Sequence, residues 1–251
     1  MKVARRCFLS TCGTSLLTNG RAPHERSLVT RYSNAKRQEA IPSDDAATLV
    51  RIIAEVRVQL LSAEPQQVAS MSAELNTLLR YYDDRPLPPH DAHLLLCTDT
   101  WLGEEAARLV ADYLQAQDCS NSLVTRRRDL QTAELTSFQL ALSELVRWFE
   151  ENLPTYRAQG FQVVFNLTGG FKSVQGFLQA LAPFYADGEV TRRRGPVQHS
   201  VDHPVAVAVL GQLRPVGVVP ARVKRAGHQL GWGDGLGAHG SLSFSLRPSL
   251  R

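Results

Sequence analysis

The residues best suited to chemistry lie in one short run, Asn166-Leu167-Thr168-Gly169-Gly170-Phe171-Lys172. Adjacent glycines let the backbone take positive φ and approach a ligand closely. After them, Val174, Phe177, Leu178 and Leu181 are spaced for one apolar helix face, so the glycines precede a helix start. A helix start offers unpaired N–H groups and partial positive charge, which suit a phosphate. Lys172 adds a full charge in the first turn, where the helix dipole disfavours a cation. A cation held against the dipole is accounted for by an anion that binds both. The plain alternative is a βα turn with a surface lysine.

A second polar run, Ser10-Thr11-Cys12-Gly13-Thr14-Ser15, crowds small hydroxyls around one glycine, an arrangement that fits an anion or a ribose. Its alternative is a Ser/Thr helix cap. A third run, Thr98-Asp99-Thr100, stands ahead of Gly103 as a turn.

Regular elements must position these runs. Phe161 to Phe165 is rich in β-branched and aromatic residues and reads as a strand, as do Val3 to Ser10, His93 to Thr98 and the short Leu123 to Thr125. Gly188 to Val190 begins another. Helical spacing is carried by Leu49, Ile52, Ile53, Val56 and Leu60 after a start at Ser43. It recurs from Val68 to Leu79, from Ala107 to Leu114, and from Leu135 to Phe149, ending near Pro154. Asn19 to Ser43 is polar and reads as a long loop or lid, and Asp83 to Pro89 as a rigid linker. Strands alternating with helices predict an α/β fold, a mostly parallel sheet with helices on both faces. In such sheets ligands sit beyond the carboxyl ends of the strands, where all three polar runs fall.

Composition bounds the setting. The chain has 251 residues, enough for one good core plus an appendage. No apolar run approaches the roughly 20 residues of a membrane helix, and Met1 to Ser10 is too short for a signal peptide. Cys7, Cys12, Cys97 and Cys119 are scattered, which predicts reduced thiols, a cytoplasmic protein and no metal site. The net charge of +4 is unevenly spread: residues 191–251 hold nine Lys and Arg against two Asp, and the rest holds 19 against 22. The chain therefore divides into a body, 1–190, and an atypical basic Gly/Arg-rich tail, 191–251, expected to be disordered or out of frame. A basic RNA-binding tail is the alternative.

Ser10-Thr11-Cys12-Gly13-Thr14-Ser15-Leu16-Leu17-Thr18-Asn19 resembles the opening of the CRISPR-associated Rossmann-fold (CARF) proteins, and within them the CRISPR ring nucleases. Cys97-Thr98-Asp99-Thr100 with Gly103, Leu130-Gln131 ahead of Phe138, and Asn166 to Lys172 resemble that family's later motifs. The resemblance covers roughly Val3 to Val190 and implies a Rossmann-like fold. It implies a homodimer that binds cyclic oligoadenylate, most commonly cyclic tetra-adenylate, the second messenger of type III CRISPR immunity. It further implies cleavage without metal or other cofactor: a ribose 2′-hydroxyl attacks the adjacent phosphorus, leaving linear products with 2′,3′-cyclic phosphate ends and switching the response off. Carried over by motif, the catalytic residues are Lys172 and Ser15. The ligand-binding residues are Ser10, Thr11, Gly13, Thr14, Thr98, Asp99, Thr100, Asn166, Thr168, Gly169, Gly170 and Phe171. No membrane or DNA partner is implied. Past Val190 the chain departs from the family, which continues with aromatic strands and an Ile-Pro-Leu-Pro run.

Other functions compete. A CARF sensor could bind the ring without cutting it, its output domain lost or separate. A HEPN ribonuclease needs Arg-x4–6-His in a helix; Arg85 to His90 and Arg194 to His199 contain prolines, and Arg222 to His228 lies in the Arg- and His-rich tail. No G-x-G-x-x-G follows a strand and no Walker lysine motif is present, which argues against a dinucleotide or ATP site. A hydrolase could use Ser10, Ser15 and Asp99 with His24 or His93 as base, though packing and solvent exposure are the usual fates of such histidines. Arg126-Arg127-Arg128 reads as a solvated loop or a phosphate contact, and Arg5-Arg6 as lying at an edge or facing a dimer partner. Trp101 could stack on an adenine or serve the core.

Overall fold

The computed structural model describes residues 5–83, 85–130, 135–170, 172–191 and 198–200. The tail division at 191 falls almost wholly outside the described residues, as does Phe171. Among the described residues, six strands form one sheet: β1 (Arg5–Thr11), β2 (Ala92–Cys97), β3 (Ser122–Arg126), β4 (Phe161–Asn166), β5 (Gly188–Thr191) and β6 (Gln198–Ser200). Their order is β3-β2-β1-β4-β5-β6. The first five are parallel, and β6 pairs antiparallel with β5. The fold is α/β and Rossmann-like, as the strand–helix alternation predicts.

Among the described residues, eight α-helices connect the strands: α1 (Ser15–Thr18), α2 (Pro23–Arg31), α3 (Ser43–Ser62), α4 (Pro65–Met71), α5 (Ala73–Tyr81), α6 (Trp101–Ala116), α7 (Leu135–Ala158) and α8 (Lys172–Tyr185). Side chains alternate across the pleat, so each strand serves two cores. Phe8 of β1 meets Tyr81 of α5 edge-on, ring centroids 5.1 Å apart, on one face. On the other face Phe165 of β4 packs against Phe149 of α7 at 5.6 Å, and Phe149 against Tyr185 of α8. Parallel strands covered on both faces read as apolar runs, and all six residues of β2 are buried.

Several expectations need correction. Asn19 to Ser43 is no open loop: it folds into α2 and a 3-10 turn at Gln38–Ala40. Pro23 supplies the fixed φ suited to the first helical turn, and buried Val29 anchors the helix to the core cluster. The run Val68 to Leu79 is two helices, because Ser72 is extended and caps α5 by accepting the Leu75 N–H. α7 continues past Pro154 to Ala158; Pro154 costs one hydrogen bond near the helix end, and the last turn packs Tyr156 against Phe161. Trp101 and Leu102 open α6 rather than forming a turn. Arg5 and Arg6 are not on an edge strand, since β1 lies between β2 and β4. Their guanidinium groups instead cover the Phe161 and Tyr81 rings.

Candidate functional site

β1 and β4 are neighbours at the point where the strand order reverses, the place where open α/β sheets take ligands. The register sets Ser10 beside Asn166, and the Asn166 amide donates to Ser10 Oγ at 3.2 Å and to the Glu74 carbonyl at 3.1 Å. Both residues are fully buried. One step on, Thr11 Oγ1 donates to the Gly169 carbonyl, which the Gln175 amide of α8 also meets. The loops then touch backbone to backbone: a Cβ on Gly13 would stand 2.9 Å from Gly170 Cα. Gly170 has φ +87°, open to glycine at little cost.

Beneath this contact lies Glu74, in the first turn of α5, where the helix dipole favours an acid. Its carboxylate accepts from the Gly13 N–H at 2.8 Å, Ser15 Oγ at 3.1 Å and Ser72 Oγ at 2.8 Å. It is 1% exposed, and a Cβ on Gly169 would fall 2.0 Å from its Oε1. Thus Glu74 ties α5 to the first loop and packs directly against the second. Thr168 extends the seam: its Oγ1 lies 2.7 Å from Asn166 Oδ1 and 3.1 Å from the Ala73 carbonyl, and Thr77 Oγ1 donates to it at 2.9 Å.

Thr14 and Ser15, both half-buried, open α1 directly after Gly13. Lys172 opens α8 two residues after Gly170 and is exposed. Ser15 likewise stands two residues after Gly13. The two glycines in contact therefore bring a hydroxyl and an ammonium group to adjoining helix starts.

The run Thr98-Asp99-Thr100 builds a separate network. Thr98 and Thr100 hydroxyls are 2.9 Å apart and buried, and Thr100 caps α6 by accepting the Gly103 N–H. Asp99 accepts from Arg126 Nε at 2.9 Å and the Asp129 N–H at 3.0 Å, with Lys36 Nζ at 3.2 Å. Burial pushes its carboxyl up, but the Asp129 N–H, Arg126 and Lys36 outweigh it and hold the group below the usual carboxylate range. Arg126 also pairs with Glu104 at 2.7 Å. It is no solvated loop residue, because it ends β3 and clamps the start of α6. Arg127 lies over the Trp148 ring. Half-buried Trp101 packs against the core, and its backbone N–H donates to the Ala35 carbonyl.

His93 stacks on Phe8 with centroids 5.6 Å apart and is buried, and His24 lies within α2. The four cysteines are free and buried. A cleft of about 430 Å³ opens beside α1, lined by Leu16, Asn19, Arg21, Val56 and Gln59 among others, but by neither Ser15 nor Lys172. Among the described residues, no helix is long and apolar enough to cross a membrane.

Glu74, Ser72 and Gln175 are the site residues that sequence reasoning misses. The available signal is Ser72 followed by Glu74, a cap and an acid at a helix start, hidden inside one apolar run. Residues 69–190 match a family model described as CRISPR-associated protein (Cas_APE2256). A CRISPR-associated family domain is therefore present, spanning Glu74 and the Asn166 to Lys172 loop but not Ser10 to Ser15. No curated protein matches the chain.

Proposed function

We propose that the chain, as a homodimer, binds cyclic oligoadenylate, most simply cyclic tetra-adenylate, and cleaves it without metal. The observation that carries this reading is the contact of Gly13 with Gly170 at the switch point, which sets Ser15 and Lys172 on adjoining helix starts. The CRISPR-associated domain in residues 69–190 supports the choice of ligand. Cleavage of this type brings its own nucleophile, the ribose 2′-hydroxyl. The protein's task is then positioning and charge stabilisation. Lys172 offsets negative charge developing on the phosphoryl oxygens, aided by the N–H groups at the start of α8. Ser15 orients the ribose. The 2′-hydroxyl gives up its proton as its oxygen displaces the 5′-oxygen of the next nucleotide, which takes up a proton, leaving a 2′,3′-cyclic phosphate and a 5′-hydroxyl.

The test is to mix purified protein with cyclic tetra-adenylate in EDTA and separate the products by chromatography. Linear products with 2′,3′-cyclic phosphate ends and one ring bound per two chains are the expected result. Binding with the ring left intact would make the protein a sensor. Absence of binding would overturn the reading.

A further inference from the structure

We propose that Glu74 is the positioning residue that turns Ser15 into a hydrogen-bond acceptor toward the ligand, so that the site reads a ribose 2′-hydroxyl. This rests on the ring-binding reading above and adds to it the residue that sets how Ser15 meets the ribose. A serine hydroxyl has one hydrogen and two lone pairs, whereas a carboxylate only accepts. Ser15 Oγ lies 3.1 Å from Glu74 Oε2, so the Ser15 hydrogen points inward to Glu74. The neighbouring groups leave no other assignment. Gly13 can only donate, and it takes Oε1. Ser72 Oγ accepts the Leu75 N–H at 3.2 Å, so its own hydrogen is left for Oε2 at 2.8 Å. With three donors converging on a side chain 1% exposed, the carboxylate is fixed.

Half-buried Ser15 thus presents lone pairs outward. Lone pairs repel a phosphate oxygen and accept from a hydroxyl. A ribose 2′-hydroxyl beside the scissile phosphate supplies that donor, and a 2′-deoxyribose does not. Glu74→Gln would reverse the polarity: the new side chain's oxygen keeps the Gly13 N–H, its amide nitrogen faces Ser15 and Ser72, and the Ser15 hydrogen turns outward.

The experiment measures affinities for cyclic tetra-adenylate and its all-2′-deoxy counterpart by calorimetry. It uses a Lys172→Ala background so that the ring survives the titration. With Glu74 present, the ribose ring is expected to bind about tenfold tighter, the value of an ordinary hydrogen bond. Glu74→Gln should bring the ratio within about twofold, with the deoxy ring bound no worse. Ser15→Ala should do the same by weakening only the ribose ring, and it decides alone if Glu74→Gln shows no cooperative melt. An unchanged ratio in either folded variant overturns the inference while leaving ring binding intact. A donor from the adenine base would give that result. If neither ring binds, the ring reading itself fails and the inference with it.

Discussion

Glycines at 13, 169 and 170 set how closely the two loops approach, and each is pinned by a different neighbour. Gly169 faces the Glu74 carboxylate, so Gly169→Ala must push either the loop or a buried acid aside. Overpacking of this kind costs about 1–3 kcal/mol. The variant should melt at lower denaturant and bind the ring more weakly; unchanged stability would mean that the loops give freely. His93 carries a second residue-level prediction. Burial depresses its pKa to about 4, so the folded protein holds it neutral. Its contribution is full above the unfolded pKa of about 6.5 and is lost as pH falls toward about 4. At pH 4.5 the loss is about 2 kcal/mol. Denaturant melts at pH 7 and 4.5 should show this acid sensitivity, and His93→Phe should remove most of it.

At the scale of elements, the proposed chemistry lies at two helix starts, and the ion cluster around Asp99 joins three parts of the frame. Asp99 joins β2 to β3 through Arg126 and to the chain after α2 through Lys36. Asp99→Asn should lower stability by about 1 kcal/mol and leave ring affinity unchanged, as denaturant melts and calorimetry would show. A selective loss of ring affinity at unchanged stability would instead put Asp99 on the ligand. The strands are legible in the sequence because buried parallel strands are apolar throughout, as Val163 to Phe165 and Leu94 to Leu96 are. The turns after β1 and β4 are legible from their glycines. α2 is not, because so few of its positions face the core: Val29 is its one fully buried apolar residue. Glu74 is hidden for another reason. Its partners Gly13 and Ser15 lie about sixty residues away in the chain, and local spacing carries no trace of such contacts.

For the whole molecule, strand order brings three separated polar runs to the carboxyl ends of the parallel strands and joins two of them, those after β1 and β4. β1 and β4 come from distant parts of the sequence, yet their register sets Ser10 against Asn166 and aligns the following loops. Ser10, Thr11, Asn166 and Thr168 are spent on joining those loops. That leaves half-buried Thr14 and Ser15 and exposed Lys172 to meet the proposed ligand. The most direct test is single-turnover cleavage of cyclic tetra-adenylate in EDTA by the native protein and by Lys172→Ala. Lys172→Ala should cleave about a hundredfold more slowly, some 3 kcal/mol of lost transition-state stabilisation, with the ring still bound. Undiminished turnover by Lys172→Ala would contradict it.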